Sequence, residues 1–365
     1  MLFVPSVGLV FLVDAVGGLT ALGVALRLFV GAIRPAGDFF DGLNCLSPWW
    51  LAVVVLPVAL LWLCVGRRVA AGVLVALFVG LLGFEDDWTI RLAHADHPAD
   101  VRSLSVLALN VRHYRAGRLR VVQAMKALDP DLVLITENHV DPDAVEELKS
   151  ELAPYTFLSG RSDEAAIASR LPILEATEIE LPSHAPTLHR PNRIGEQSTH
   201  PHRTFMHARV DFHGTPVNAI AVRFIAGIAA SSAISDEVQW GRYVIETQRE
   251  EIRFFVDYLS HVHGPIVFGG DLNAPPTASV IRTLDAVASD AYMSDHWIGL
   301  PTFPVKFPFL RLDYIFCMNG IVPREALRPN VRVSDHYPVL ARVELAPAPS
   351  SAHSSESSAS PDGPA

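Results

Sequence analysis

The chain has 365 residues, enough for one large domain or two smaller ones, and half of them are hydrophobic. Its formal net charge is −10 with no lysine- or arginine-rich run, so it lacks the basic footprint that binders of extended nucleic acid carry. Three cysteines do not build a disulfide framework: Cys45 and Cys64 fall in or beside apolar segments, and Cys317 inside a strand-like run.

The apolar excess lies mostly before residue 85. Val7 to Leu26, apolar apart from Asp14 and Thr20, is long enough to cross a bilayer as a helix. Trp49 to Val65 is a second apolar run, with Trp49, Trp50 and Trp62 as interfacial anchors. Val69 to Phe84 follows after Gly66-Arg67-Arg68 and is shorter than the roughly 20 residues of a usual span. Three such runs exceed what a buried core hairpin needs, and residues 1–6 hold no Lys or Arg to begin a signal peptide. The expectation is a membrane region over 1–84 with about three transmembrane helices, 7–26, 49–65 and 69–84. Arg67-Arg68 favour the cytoplasm for the second turn. An odd number of spans then puts the remainder outside the cytoplasm, although Arg27 and Arg34 argue the other way. The expected protein is a multi-pass cell-membrane protein with an extracytoplasmic domain.

Residues 85–100 read as a polar linker. Leu104 to Leu109 is a buried strand ending at Asn110. Gly117 to Leu128 has helical spacing (Leu119, Val122, Met125, Ala127), and Asp129-Pro130 stops it. Leu132 to Ile135 is a strand ending at Thr136-Glu137, and Asp143 to Leu152 an amphipathic helix. Strand, helix, strand, helix indicates a layered α/β domain. Ala165 to Ser169 and Ile173 to Leu181 read as strands joined around Arg170-Leu171-Pro172. The loop from Leu181 to Arg203 carries His184, His189, His200 and His202, whose spacings match no usual structural zinc pattern. Phe205 to Phe212 and Val217 to Phe224 alternate as a hairpin turning at His213-Gly214-Thr215. Ile225 to Trp240, small and polar, reads as a mobile loop, and Tyr243 to Leu259 as a helix.

Ile266-Val267-Phe268 is a buried strand closed by Gly269-Gly270, after which Asp271 and Asn273 stand two apart, on one side of an extended backbone. The same Asp-x-Asn before Pro275-Pro276 also suits an Asx-type turn. Ser279 to Leu284 is a short helix. Leu312 to Met318 and Val339 to Leu345 are the last strands, with Ser334-Asp335-His336 just before the latter. Ser294-Asp295-His296-Trp297 repeats those letters but has no following strand, and reads as a loop. The catalytic domain is expected over 101–346, and 347–365 as a disordered Ser/Ala/Pro tail.

Five strand ends thus carry Asn110, Glu137, Asp271 with Asn273, Asp313, and Asp335 with His336. Any one of them serves equally well as a cap or a turn residue. Collected at one sheet edge, their oxygens suit a hard cation such as Mg²⁺, beside a base for a water nucleophile and donors for a phosphate oxyanion.

The order Leu109-Asn110, Glu137, Gly270-Asp271-Leu272-Asn273, Leu312-Asp313-Tyr314 and Ser334-Asp335-His336 resembles the endonuclease/exonuclease/phosphatase superfamily, deoxyribonuclease I-like. The likeness runs from about Ser103 to Leu345, and Ala168 to Pro172 resembles the middle strand motif. It implies a four-layer α-β-β-α sandwich with both sheets feeding one site. It further implies Glu137 as principal ligand of Mg²⁺ (or Mn²⁺), with Asn110 and Asp335 close by. Asp271 would orient or deprotonate the attacking water, Asn273 hold the phosphate, and His336, positioned by Asp313, stabilise charge on the phosphoryl oxygens. One departure stands out: where members usually carry a histidine before the central helix, this chain has Arg223, which could bind a phosphate oxygen bidentately. Arg112 and His139 are further candidate phosphate contacts.

The expectation is a membrane-anchored, Mg²⁺-dependent phosphoesterase whose partners are the bilayer and a phosphate-ester substrate, with a lipid-linked phosphate as the suggested form. Actinobacterial glycopeptide-resistance proteins of the superfamily look similar in layout, which suggests a polyprenyl pyrophosphate. The alternatives are an anchored extracytoplasmic nuclease, against which the acidic charge speaks, and a catalytically silent binding module of the same fold, for which Arg223 is the best support.

Overall fold

A computed structural model describes residues 7–33, 49–84, 103–140, 142–160, 164–182, 203–226, 234–295, 301–308 and 310–346. The linker, the four loop histidines, His296-Trp297 and the tail lie outside the described residues.

Three apolar helices come first: α1 (Val7–Ile33), α2 (Trp49–Cys64) and α3 (Arg68–Phe84). Val13, Val24, Val55, Val58, Ala59, Trp62, Leu74 and Phe78 pack between them. Gly17 makes room for the Trp62 ring, which a Cβ there would meet at 2.0 Å. Asp14 of α1 pairs with Arg67 in the α2–α3 turn at 2.6 Å. The outward side chains are apolar too: Phe11, Leu19 and Val69 are 76%, 71% and 82% exposed. By length and composition α1 is able to cross a membrane, while α2 and α3 are shorter apolar helices.

The remainder is a sandwich of two six-stranded sheets. The first contains β1 (Ser103–Asn110), β2 (Leu132–Thr136), β3 (Thr156–Ser159), β4 (Ala165–Ser169), β11 (Ile321–Leu327) and β12 (Val339–Leu345), in the order β11-β12-β1-β2-β4-β3. The second contains β5 (Ile173–Glu180), β6 (Thr204–Phe212), β7 (Thr215–Ala221), β8 (Ile266–Asp271), β9 (Ser289–Asp290) and β10 (Asp313–Met318), in the order β5-β6-β7-β8-β10-β9. Each sheet has one parallel pair at its heart, β1/β2 and β7/β8. Each parallel pair needs a crossover: α4 (Arg118–Leu128) joins the first and α6 (Ile234–His261) the second. α5 (Val145–Leu152) lies beside α4, α7 (Ser279–Asp285) beside α6, and α8 (Ala291–Asp295) follows β9.

Three apolar layers result. Val106, Ala108, Leu134, Ile167, Ala208, Val210, Ala219 and Val267 fill the space between the sheets. Leu107, Leu109, Val133 and Ile135 pack on Val122, Met125 and Leu148 of the outer helices, and Ile220, Phe268 and Phe316 on Ile252 and Phe255. Strands buried on both faces read as continuous apolar runs, which is why β1, β2 and β8 are legible. The expected four-layer sandwich is the observed one.

Three expectations are corrected. Helix α6 begins at Ile234, so the stretch read as a loop to Trp240 is helical in its last part; Ser-Asp-Glu at its start suits a helix N-terminus. Ser294-Asp295 closes helix α8 instead of lying in a loop. Strands β3, β9 and β11 have no counterpart in the sequence reading; each is short or polar and sits at or near a sheet edge.

Candidate active site

In open α/β sheets, ligands gather beyond the carboxyl ends of parallel strands. Asn110, Glu137, Arg223 and Asp271 stand at the carboxyl ends of β1, β2, β7 and β8. Two glycines allow the close approach there, Gly269 to the neighbouring strand β10 and Gly270 to the end of β2 in the other sheet. A Cβ on Gly269 would meet the Tyr314 carbonyl at 2.2 Å, and one on Gly270, at φ 137°, the Val222 carbonyl at 2.4 Å and Thr136 Cγ2 at 2.7 Å. The Gly270-Asp271 corner therefore abuts the ends of β2 and β7.

Asp271 is 1% exposed. Its Oδ2 accepts from Asn110 Nδ2 at 3.0 Å, and its Oδ1 accepts from the Asn273 backbone at 3.0 Å. Directly across β8 and β10 lies Asp313, and like charges in that register repel. His336 relieves the clash: Nδ1 stands 2.8 Å from Asp313 Oδ2, and Nε2 3.9 Å from Asp271 Oδ2. Burial pushes the Asp271 carboxyl up to about 6, against the pull of His336. Burial lowers the His336 imidazolium, but Asp313 and Asp271 outweigh it and lift it to about 10. The two carboxyl groups thus favour the charged imidazolium of His336 between them.

Glu137 sits at φ 54° just after β2. Its Oε1 accepts from Arg223 Nη2 at 2.9 Å, and its Oε2 lies 3.5 Å from His113 Nε2. Burial raises its carboxyl, yet Arg223, Asn110, His113 and His336 together hold it below the ordinary range. Arg223 also donates from Nη1 to Glu164 at 2.9 Å, with Nε 3.8 Å from Asp271 Oδ2. Its fork thus faces three carboxylates. Glu137 and Asp271 flank one guanidinium, so strand ends of the two sheets share a single centre.

The remaining predicted residues surround it. Asn110 Oδ1 accepts from the Arg112 backbone at 2.8 Å, while Arg112 Nε pairs with Asp335 Oδ2 at 3.1 Å. Asn273, at φ 50°, donates its amide to the Phe224 carbonyl at 2.9 Å. The His139 ring stacks edge-on against His113 at 4.5 Å.

Sequence reasoning missed several contributors. Thr302 Oγ1 accepts from the backbones of Leu312 and Asp313, and Phe303 lies 4.7 Å from the His336 ring. Gln248 donates to the Ile225 and Asn273 carbonyls, and Glu251 accepts from the Ile225 backbone, so α6 ties β7 to β8. Glu164, directly before β4, is the one whose position at a strand edge could have been noticed.

Among the described residues, Asp271, Asp313 and His336 form the one group of three His, Cys, Asp or Glu with potential ligand atoms all within 4.8 Å. His336 Nδ1 is already engaged by Asp313. The hard oxygen donors around them, Glu137 Oε2, Asn110 and Asp335, fit Mg²⁺ or Mn²⁺ chemically. Arg112, which pairs with Asp335, is 42% exposed.

The family model described as "Endonuclease/Exonuclease/phosphatase family" matches residues 107–336. An endonuclease/exonuclease/phosphatase from Bacteroides vulgatus is 18% identical, covering 67% of this chain and 99% of its own, with a TM-score of 0.51. One from Beutenbergia cavernae is also 18% identical, covering 67% of this chain and 72% of its own, at 0.49. A Bacteroides thetaiotaomicron mannosyl-6-phosphatase is 18% identical, covering 66% and 99%, at 0.49. No curated protein matches.

Proposed function

The chain belongs to the endonuclease/exonuclease/phosphatase family, a family of metal-dependent hydrolases of phosphate esters, and from that premise we propose a membrane-anchored phosphoesterase that acts on lipid-borne phosphates. The observation that carries the reading is the meeting of Glu137, Asp271 and the Asp313–His336 pair, drawn from both sheets, at one centre.

Glu137, with Asn110 and Asp335, would hold a Mg²⁺ ion. Such an ion, when bound, polarises a phosphoryl oxygen and offsets its charge. Asp271, fixed by Asn110 and the Asn273 backbone, accepts a proton from water as the water oxygen attacks phosphorus. The bond from phosphorus to the leaving oxygen breaks, and that oxygen departs as a phosphate, or as an alkoxide that takes its proton from solvent. His336, held by Asp313, donates from Nε2 to a phosphoryl oxygen as charge develops there. Arg112 is exposed enough to contact the phosphate as well.

Two features favour a lipid substrate. The apolar exterior of α1, α2 and α3 supports anchoring in a bilayer, with α1 the helix long enough to cross it, and tethering raises the effective concentration of membrane substrates. The net charge of −10 disfavours nucleic acid. With three spans, Arg67-Arg68 on the cytoplasmic side would make the catalytic domain extracytoplasmic, against the pull of Arg27 and Arg34.

The test is hydrolysis by the full chain in lipid nanodiscs with Mg²⁺. Prenyl pyrophosphate and phosphatidic acid are compared with single-stranded DNA and a soluble nitrophenyl phosphate. Turnover of a lipid phosphate at least tenfold above DNA supports the reading. Preference for DNA would make the protein a nuclease, and inactivity on every substrate would make it a silent module.

A further inference from the structure

We infer that Arg223 is an internal cation filling the place of a second metal ion, so that this centre binds one exchangeable divalent cation. The inference rests on the metal-dependent reading above and specifies its stoichiometry.

Three carboxylates from separate strand ends converge on the guanidinium: Glu137 after β2, Glu164 before β4 and Asp271 at the end of β8. Nη2 reaches Glu137 and Nη1 reaches Glu164, both at 2.9 Å, while Nε lies 3.8 Å from Asp271. The side chains of the four residues are only 1–16% exposed, so water does little to screen the three negative charges. A buried set of this kind needs a countercharge close by. In two-metal phosphoesterases a pair of ions about 3.5–4 Å apart supplies it by sharing carboxylates between them. Here a planar, permanently charged fork occupies that position and cannot dissociate.

Arg223 also decides which oxygens remain available. Glu137 Oε1 is spent on Nη2, leaving Oε2, which faces His113 Nε2 at 3.5 Å, as the edge toward an ion. Asp271 Oδ2 accepts from Asn110 and faces both Arg223 Nε and His336 Nε2. A second ion bridging Glu137 and Asp271 would need the volume that the guanidinium fills. On the other side, Glu137 Oε2 faces His113 Nε2 at 3.5 Å and Asp335 pairs with Arg112 at 3.1 Å, but His113 and Arg112 are 38% and 42% exposed, where Arg223 is 16% exposed. An ordinary structural ion pair would tie the sheets together equally well, but it would leave metal stoichiometry untouched.

The experiment is Mn²⁺ titration of the full chain in detergent, by calorimetry and by electron paramagnetic resonance, for the wild type, Arg223→Lys and Arg223→Ser. The expected result is one ion for the wild type and for Arg223→Lys, which keeps a cation. Arg223→Ser is expected to bind two ions with an exchange-coupled spectrum. Two ions in the wild type would overturn the inference while leaving the phosphoesterase reading intact. A folded Arg223→Ser binding one ion with wild-type affinity would overturn it too. Should Arg223→Ser not fold, the wild type and Arg223→Lys still decide between one ion and two. No bound Mn²⁺ in any of them would overturn both this inference and the metal-dependent reading.

Discussion

Asp271 and Asp313 face each other across two antiparallel strands, and one imidazolium keeps both buried carboxylates tolerable. This has a consequence for stability. The His336 value in the folded protein, about 10, lies above its ordinary 6.5, so the fold favours the charged form. Its contribution is complete below about 6.5 and is lost as pH rises toward 10. Asp271 is likewise raised, to about 6, and loses its contribution between its ordinary range and 6, so the slope above 6.5 reports the histidine, joined only above about 9 by the Cys317 thiol that burial pushes up. In EDTA, the melting temperature of the wild type is expected to fall between pH 6.5 and 10. His336→Asn should melt lower at pH 6.5 and lose most of that slope; an equal slope in both would contradict the assignment. At this scale the sequence was informative for residues that end apolar strands: Asn110, Glu137 and Asp271 announce themselves by interrupting hydrophobic runs. Glu164, Gln248 and Thr302 do not, because their partners lie 59, 23 or 25, and 10 or 11 positions away and no local pattern marks the pairing.

Among the elements, β8 is the most constrained, since its last residues touch both sheets. Gly270→Ala would bring a Cβ within 2.4 Å of the Val222 carbonyl at φ 137°. A cost of about 2–4 kcal/mol is expected, from backbone strain together with the clash. Gly214 is the control: it turns at φ 85° in the β6–β7 hairpin with nothing within 4 Å of a Cβ. Gly214→Ala should cost about 1 kcal/mol, the conformational term alone. Urea unfolding of the two variants checks the contrast, and equal losses would mean that close packing at β8 is not what selects glycine. Sequence periodicity revealed the central strands because helices or a second sheet cover both their faces. It passed over β11, where Pro323, Arg324 and Glu325 sit on an edge that tolerates proline and charge. It also ended the hairpin strand late: β7 stops at Ala221, and Val222 to Phe224 leave the sheet so that Arg223 can reach the centre.

In the domain after the apolar helices, the two sheets repeat one device, a parallel pair with a helical crossover, and each brings the ends of its pair to the same centre. Neither half alone holds a complete set: Glu137 and Asn110 come from one, Asp271 and Asp313 from the other, and His336 from the segment returning to the first. The family likeness was legible because the motif order survives in the chain, whereas the partnership of Arg223 with three carboxylates belongs to the folded state alone. The most direct measurement of this convergence is Mg²⁺-dependent turnover of a phosphate ester by Glu137→Gln, Asp271→Ala and His336→Ala beside the wild type, with melting temperatures as the folding control. Each variant is expected to remain folded and to lose about a hundredfold or more in kcat. Wild-type turnover in Asp271→Ala or His336→Ala would contradict a shared hydrolytic centre.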